Sequence, residues 1–205
     1  MWNMHPRPAV KKDWMPRSVR RYYPDKHGAK IPIRWRITHG NILDQPGDVL
    51  VCSENIFLNL SGGVGGELLR RCGHKAQEEL HGYLKEHGLR FVKQGEVIVA
   101  LPHGLPLKSV LHAVAIDGFY ATTPEIVRAT IDRSLHIAAS LGARTVLMTA
   151  LATGYGRLSM LKFAEALTPL MKSDYPPVME VVICVKNLSD QEELAAGLTS
   201  VTTGN

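Results

Sequence analysis

No stretch of the 205-residue chain approaches the ~18 consecutive apolar residues needed to cross a bilayer, and no apolar segment follows its first basic residues. Neither a membrane anchor nor a signal peptide is therefore expected, and the chain reads as cytoplasmic. Cysteine is scarce: Cys52, Cys72 and Cys184 form an odd set without paired metal-ligand spacing. A disulfide framework is excluded, no metal is expected, and the three thiols read as small core residues in a reducing compartment. There is no internal repeat and no low-complexity tract. The hydrophobic fraction of 45% is sufficient to bury a core, so the length fits one domain plus an extension.

Acidic residues are nearly missing from the start of the chain. Residues 1–36 hold ten Lys and Arg against two acidic residues, whereas the remainder holds fourteen against seventeen. The net charge of +5 thus belongs to a basic N-terminal arm, residues 1–32, and the globular body, residues 33–205, is mildly acidic. The arm mixes prolines with Arg, Lys, Trp and Tyr and shows no apolar period, so it reads as an extended segment.

From Ile33 onward, short β-rich runs alternate with helical patterns, the mark of an α/β sheet covered by helices. Strands are expected at Ile33–Thr38, Asp48–Cys52, "GEVIVA", "SVLHAVA", "RTVLMTAL" and "EVVICVK". Helices are expected across "GGELLRRCGHKAQEELHGYLKEHG", broken near Gly73 and stopped at Gly88, and from Pro124 to Gly142 behind a Thr123 cap. Further helices are expected at "SMLKFAEALTPLMK" and, short and capped, at "SDQEELAAG". The order gives about six strands and four or five helices in a mixed, mainly parallel sheet.

Two glycine-bearing loops each follow a strand and precede a helix. The first, Ser61-Gly62-Gly63-Val64-Gly65-Gly66, lets backbone N–H groups approach a ligand at a helix start, which favours phosphate. The second is Ala152-Thr153-Gly154-Tyr155-Gly156-Arg157. In an α/β sheet, ligands sit beyond the carboxyl ends of strands, where two such loops can face one another. Glu67 follows Gly66, so the lysine of a P-loop is missing and triphosphate hydrolysis is set aside. A Rossmann dinucleotide site is disfavoured too, because the glycines follow the second strand.

The segments "THGNIL", "GDVLVCSEN", "SGGVGGELLRRCG", "GEVIVALPHGLPLKSVLHAV" and "ALATGYGRLS", in that order from about residue 35 to 186, resemble the macro domain family. The resemblance implies a three-layer α/β fold that binds ADP-ribose, free or protein-linked, and requires no cofactor. It places Asn41, with Ile42, where the family's aspartate meets the adenine amino group. Asn55 matches the asparagine that contacts the distal ribose. Gly62, Gly63, Val64 and Gly65 match the diphosphate loop, and Ala152, Thr153, Gly154, Tyr155 and Gly156 the facing loop, with Tyr155 offered for stacking.

The departures weigh against catalysis. Gly65 stands where hydrolytic members carry an acidic residue, and the lysine and aspartate of another branch are missing. If there is a general base, Glu54 is the candidate, with Asn55 holding water; otherwise Glu54 is a solvated carboxylate at the loop edge. His112 reads as a hydrogen-bonded core histidine, and His39 as a surface turn residue. The alternatives to a reader are a hydrolase that removes ADP-ribose or O-acetyl-ADP-ribose modifications, and a nucleic-acid-associated protein that uses Arg17, Arg20, Arg21, Tyr22 and Tyr23 of the arm. If the arm binds RNA through phosphate contacts, that binding carries a steep salt slope. Removing residues 1–32 is expected to flatten that slope in a salt titration, and a slope that survives the deletion places the affinity in the body.

Overall fold

The computed structural model describes residues 32–203. The basic arm, residues 1–32, falls outside the described residues apart from Pro32. Six strands and five α-helices are interspersed among the described residues. They are β1 (Arg34–His39), β2 (Val49–Glu54), α1 (Gly63–Cys72), α2 (His74–Glu86), β3 (Val97–Ala100), β4 (Ser109–Val114), α3 (Pro124–Ser140), β5 (Thr145–Thr149), α4 (Met160–Leu167), β6 (Glu180–Val185) and α5 (Leu188–Thr203). The sheet order is β1-β6-β5-β2-β4-β3. All neighbours are parallel except β3 and β4. This is the mixed, mainly parallel, helix-flanked sheet expected from the alternating pattern. No helix among the described residues is long and apolar enough to cross a membrane.

Side-chain alternation assigns each strand position to one of two helical layers. Val49, Val51, Leu111, Ala113, Val146, Met148, Val181 and Ile183 pack with α3 and α4 through Val127, Ile131, Leu135, Phe163 and Leu167. The opposite face sends Leu50, Cys52, Val110, Leu147, Val182 and Cys184 toward Leu68 of α1 and toward Ile42 and Leu43. Leu80 and Leu84 of α2 cover Ile98, Ala100 and Val114 on the same side. Each such aliphatic side chain contributes roughly 1.5–3 kcal/mol by burial.

The helix ends follow local chemistry. Gly73, at φ +73°, separates α1 from α2, and Thr123 Oγ1 accepts from Ile126 N to cap α3 ahead of Pro124. Pro169 ends α4, and residues Thr168–Lys172 continue as a 3-10 turn. The last helix departs from expectation. It runs past Gly197 to Thr203, and a Cβ on Gly197 would lie 3.1 Å from Ala164 Cβ and 3.4 Å from Leu161 Cα. Glycine there permits close helix packing and does not stop the helix.

Asp48 ties three strands together at their amino ends. Its Oδ2 accepts from Arg144 N at 2.7 Å and Thr145 N at 3.0 Å, and its Oδ1 meets Lys108 Nζ at 3.1 Å. Partial burial pushes the Asp48 carboxyl up, but the Thr145 and Arg144 amides and the Lys108 ammonium outweigh it and hold it below its ordinary range. A carboxyl depressed in the folded state stabilises above its unfolded pKa of about 3.9, and that contribution fades as pH falls through the lower folded value. Asp48→Ala is expected to cost about 1–3 kcal/mol at neutral pH. In urea unfolding the gap to the parent should narrow below about pH 4; a gap unchanged down to acid pH removes Asp48 as its source.

Candidate functional site

Because β2 lies beside β5, the loops that leave their carboxyl ends emerge as neighbours. Gly62 is extended and provides no side-chain cap to α1, and Gly63 enters the helix at φ +54°. The first intrahelical bond of this turn is Gly66 N to Gly62 O, 3.1 Å, so the N–H groups of Gly63, Val64 and Gly65 belong to the unpaired first turn. This is the arrangement that receives an anion. Facing it, Ala152 adopts φ +64° and its N–H donates to Ser53 Oγ at 3.2 Å, which binds the second loop to β2. Thr153 Oγ1 donates to Ala150 O at 2.8 Å. A Cβ on Gly62 would meet the Tyr155 hydroxyl at 2.2 Å, so Tyr155 bridges the crevice between the loops.

Asn55 lines the first of the two cavities described below and Asn41 lines neither, and each is fixed by hydrogen bonds of its side chain. Asn41 Oδ1 accepts from Leu43 N at 3.0 Å, and its Nδ2 donates to Glu67 Oε1 at 3.2 Å. Glu67 also pairs with Arg70 and, at 3.0 Å, with Arg71, which reaches Asp44 Oδ1 at 2.7 Å. Hydrogen bonding by Arg71 leads the causes that hold the half-buried Glu67 carboxyl below its ordinary value. Asn55 Oδ1 accepts from Phe57 N at 2.9 Å, and Nδ2 donates to Asn59 O at 3.1 Å. Each amide retains one lone pair and one N–H for a ligand. Ile42, beside Asn41, is buried in the core, so only its backbone is on offer.

Two cavities open at this end of the sheet. One, of about 360 Å³, is lined by Asn55, Ser61, Gln77, Asp117 and Tyr120 among others. The second, of about 490 Å³, is lined by Phe119, Tyr120, Gly154, Tyr155, Gly156 and Arg157. They meet at Tyr120, whose ring centroid lies 6.0 Å from that of Tyr155.

Glu54 differs from the expected loop-edge carboxylate. It is only 4% exposed, and its Oε1 lies 3.0 Å from Nδ1 of His112, which is the register partner of Cys52 on β4 and so sits diagonally across from Glu54 on the same face. His112 is a hydrogen-bonded core histidine, as its strand position implied. Cys52 Sγ approaches the same Nδ1 at 3.5 Å. Burial, and then the Glu54 charge, push the Cys52 thiol well up, so it is not an activated nucleophile. Cys184 is buried and Cys72 partly so, and all three cysteines are free.

A model of the family described as Macro domain matches residues 51–167, more than half of the chain. The chain belongs to the macro domain family. It is 30% identical over 118 residues to an uncharacterised protein of Pyrobaculum aerophilum, an alignment covering 58% of this chain and 63% of that protein. It is 28% identical over 168 residues to one of Saccharolobus solfataricus, covering 80% and 89% of the two chains. In fold it is similar to the Oceanobacillus iheyensis macrodomain with ADP, at a TM-score of 0.74 and 18% identity, covering 86% of this chain and 96% of that one. The Trypanosoma brucei macrodomain in complex with ADP-ribose superposes at a TM-score of 0.66 and 18% identity, covering 82% and 69%.

In this macro domain, the glycine turn, the Ala152–Gly156 loop and Asn55 gather at one end of the sheet. Asp117, Phe119 and Tyr120 were not anticipated. They follow β4, and Asp117 Oδ1 shapes their loop by accepting from Phe119 N and Ala121 N, each at 2.8 Å. Their signal was an Asp-Gly turn with aromatics after a third strand, which the strand-end rule also covers. The second loop has one position that admits no side chain. A Cβ on Gly156 would stand 2.5 Å from Ala152 O and 2.7 Å from Ile116 Cγ2. Gly156→Ala is expected to destabilise by about 1–3 kcal/mol, read by urea unfolding; an unchanged midpoint shows that the loop relaxes freely.

Proposed function

We propose that this macro domain binds ADP-ribose, free or protein-linked, with the diphosphate across the first turn of α1 and the Ala152–Gly156 loop. The observation that carries the reading is the uncapped α1 start facing that loop, close enough for Tyr155 to reach Gly62. Unpaired N–H groups and the helix dipole favour an anion there. The complexes of the Oceanobacillus macrodomain with ADP and of the Trypanosoma macrodomain with ADP-ribose support the choice of ligand. On this reading Asn41 and the backbone of Ile42 meet the base, and Asn55 meets the distal ribose from the cavity it shares with Asp117.

Binding is favoured over hydrolysis. Glu54 is turned to His112 and lines neither cavity described above. Gly65, at the position of the family's acid, is crowded: a Cβ would lie 3.3 Å from Leu60 Cα and 3.6 Å from Glu54 Oε1. A carboxylate added there would also face a buried carboxyl of like charge.

Calorimetry with ADP-ribose is expected to show one site. Gly63→Glu should abolish it, since the side chain enters open space above the helix start, carries like charge toward the diphosphate, and meets a strained φ worth about 1–2 kcal/mol. Asn55→Ala should weaken it about tenfold, and ADP less than ADP-ribose. Full affinity in folded Gly63→Glu removes the glycine turn from the site. ADP-ribosylated protein incubated with the domain is expected to keep its modification, and rapid release of ADP-ribose reverses the preference for binding.

A further inference from the structure

Cys52 and Glu54 are two residues apart on β2 and so project from the same face of the sheet, the face that also carries Leu50 and is covered by α1. His112 is the register partner of Cys52 on β4. The three are 0%, 4% and 3% exposed. Their donor atoms converge: Nδ1 to Oε1 is 3.0 Å, Sγ to Nδ1 is 3.5 Å, and Sγ to Oε1 is 3.8 Å. A tetrahedral zinc ion, with bonds of ~2.3 Å to sulfur and ~2.0–2.2 Å to nitrogen and oxygen, sets its ligand atoms roughly 3.4–3.6 Å apart. The observed triangle differs from that by a few tenths of an ångström per edge.

Two simpler roles fit less well. A nucleophile relay divides the imidazole, one nitrogen for the thiol and the other for the acid. Here thiol and carboxylate crowd the same Nδ1. A plain Glu54–His112 ion pair needs no third donor, and burying one is costly without further partners. A divalent cation with a thiolate, a carboxylate and a neutral imidazole sums to zero charge, the condition burial favours. The mixed sulfur, nitrogen and oxygen set suits zinc and not magnesium or calcium, which take oxygen. Among the described residues this is the group of His, Cys and acidic donors whose atoms lie close enough together to hold an ion.

We propose that Cys52, Glu54 and His112 form a buried site for one zinc-class divalent cation, between the β2–β4 pair and α1. The spacing of cysteines along the chain gave no hint of it, because the ligands come from two strands and only one is a cysteine. The ion ties β2 to β4 immediately beneath the glycine turn, where a Cβ on Gly65 would already be 3.6 Å from Glu54 Oε1. The site is independent of ADP-ribose binding, so either reading can fail alone.

The test is a cobalt titration of the chelator-stripped full chain, followed by optical spectroscopy. One cobalt per chain is expected, with tetrahedral d–d bands and a thiolate-to-cobalt charge-transfer band, both bleached by zinc. Cys52→Ser should lose the charge-transfer band and at least about tenfold in affinity, while Cys184→Ser keeps both. Absence of the band in the folded parent, or its persistence in Cys52→Ser, overturns the proposal. If Cys52→Ser does not fold, X-ray absorption at the zinc edge of the loaded parent decides. A shell of one sulfur with nitrogen and oxygen supports the site, and no sulfur or several sulfurs overturns it.

Discussion

Parallel pairing of β2 with both β4 and β5 is the constraint on which the rest of this macro domain depends. It buries β2 on both faces and sends the chain out of all three strands at one edge. The glycine turn, the Asp117–Tyr120 segment and the Ala152–Gly156 loop are thereby neighbours without being close in sequence. Asp48 pins the opposite ends of the same strands, so the edge that carries the loops is held by a closed hydrogen-bonded base.

The polar side chains near the start of α1 and after β2 serve the fold. Asn55 closes its own turn with one lone pair and one N–H, whereas Asn41 closes its turn with one lone pair and donates one N–H to the Glu67 carboxylate, which leaves half of each amide's capacity unspent. Glu67 is the hinge of this arrangement, since it joins the Asn41 turn to Arg71 and so to Asp44. The Asn41 turn and the start of α1 are thus positioned by one network. By contrast, the Cys52–Glu54–His112 group lies inside the sheet-to-helix layer, where its polarity is compensated locally.

Much was legible because it rests on local chemistry. The alternating apolar runs marked all six strands, Thr123-Pro124 marked the start of α3, and the glycines between a strand and a helix marked the uncapped start of α1. Gly197 misled, since a helix breaker by propensity proved to be a packing contact with Ala164 and Leu161. Glu54 misled for a similar reason. A carboxylate next to a ligand loop is solvated by default, and only a partner 58 residues away made burial tolerable.

The sequence by itself determined the strand and helix order, the two loops, and family membership through segments that are each short but correctly ordered. These depend on backbone propensity and local spacing, which a linear chain displays. The tertiary structure alone decided that Tyr155 reaches Gly62, that Tyr120 joins two cavities, and that Cys52, Glu54 and His112 converge on one point. Those depend on strand order and register, because a shift of one residue between β2 and β4 would turn His112 to the other face of the sheet and leave Glu54 without its partner.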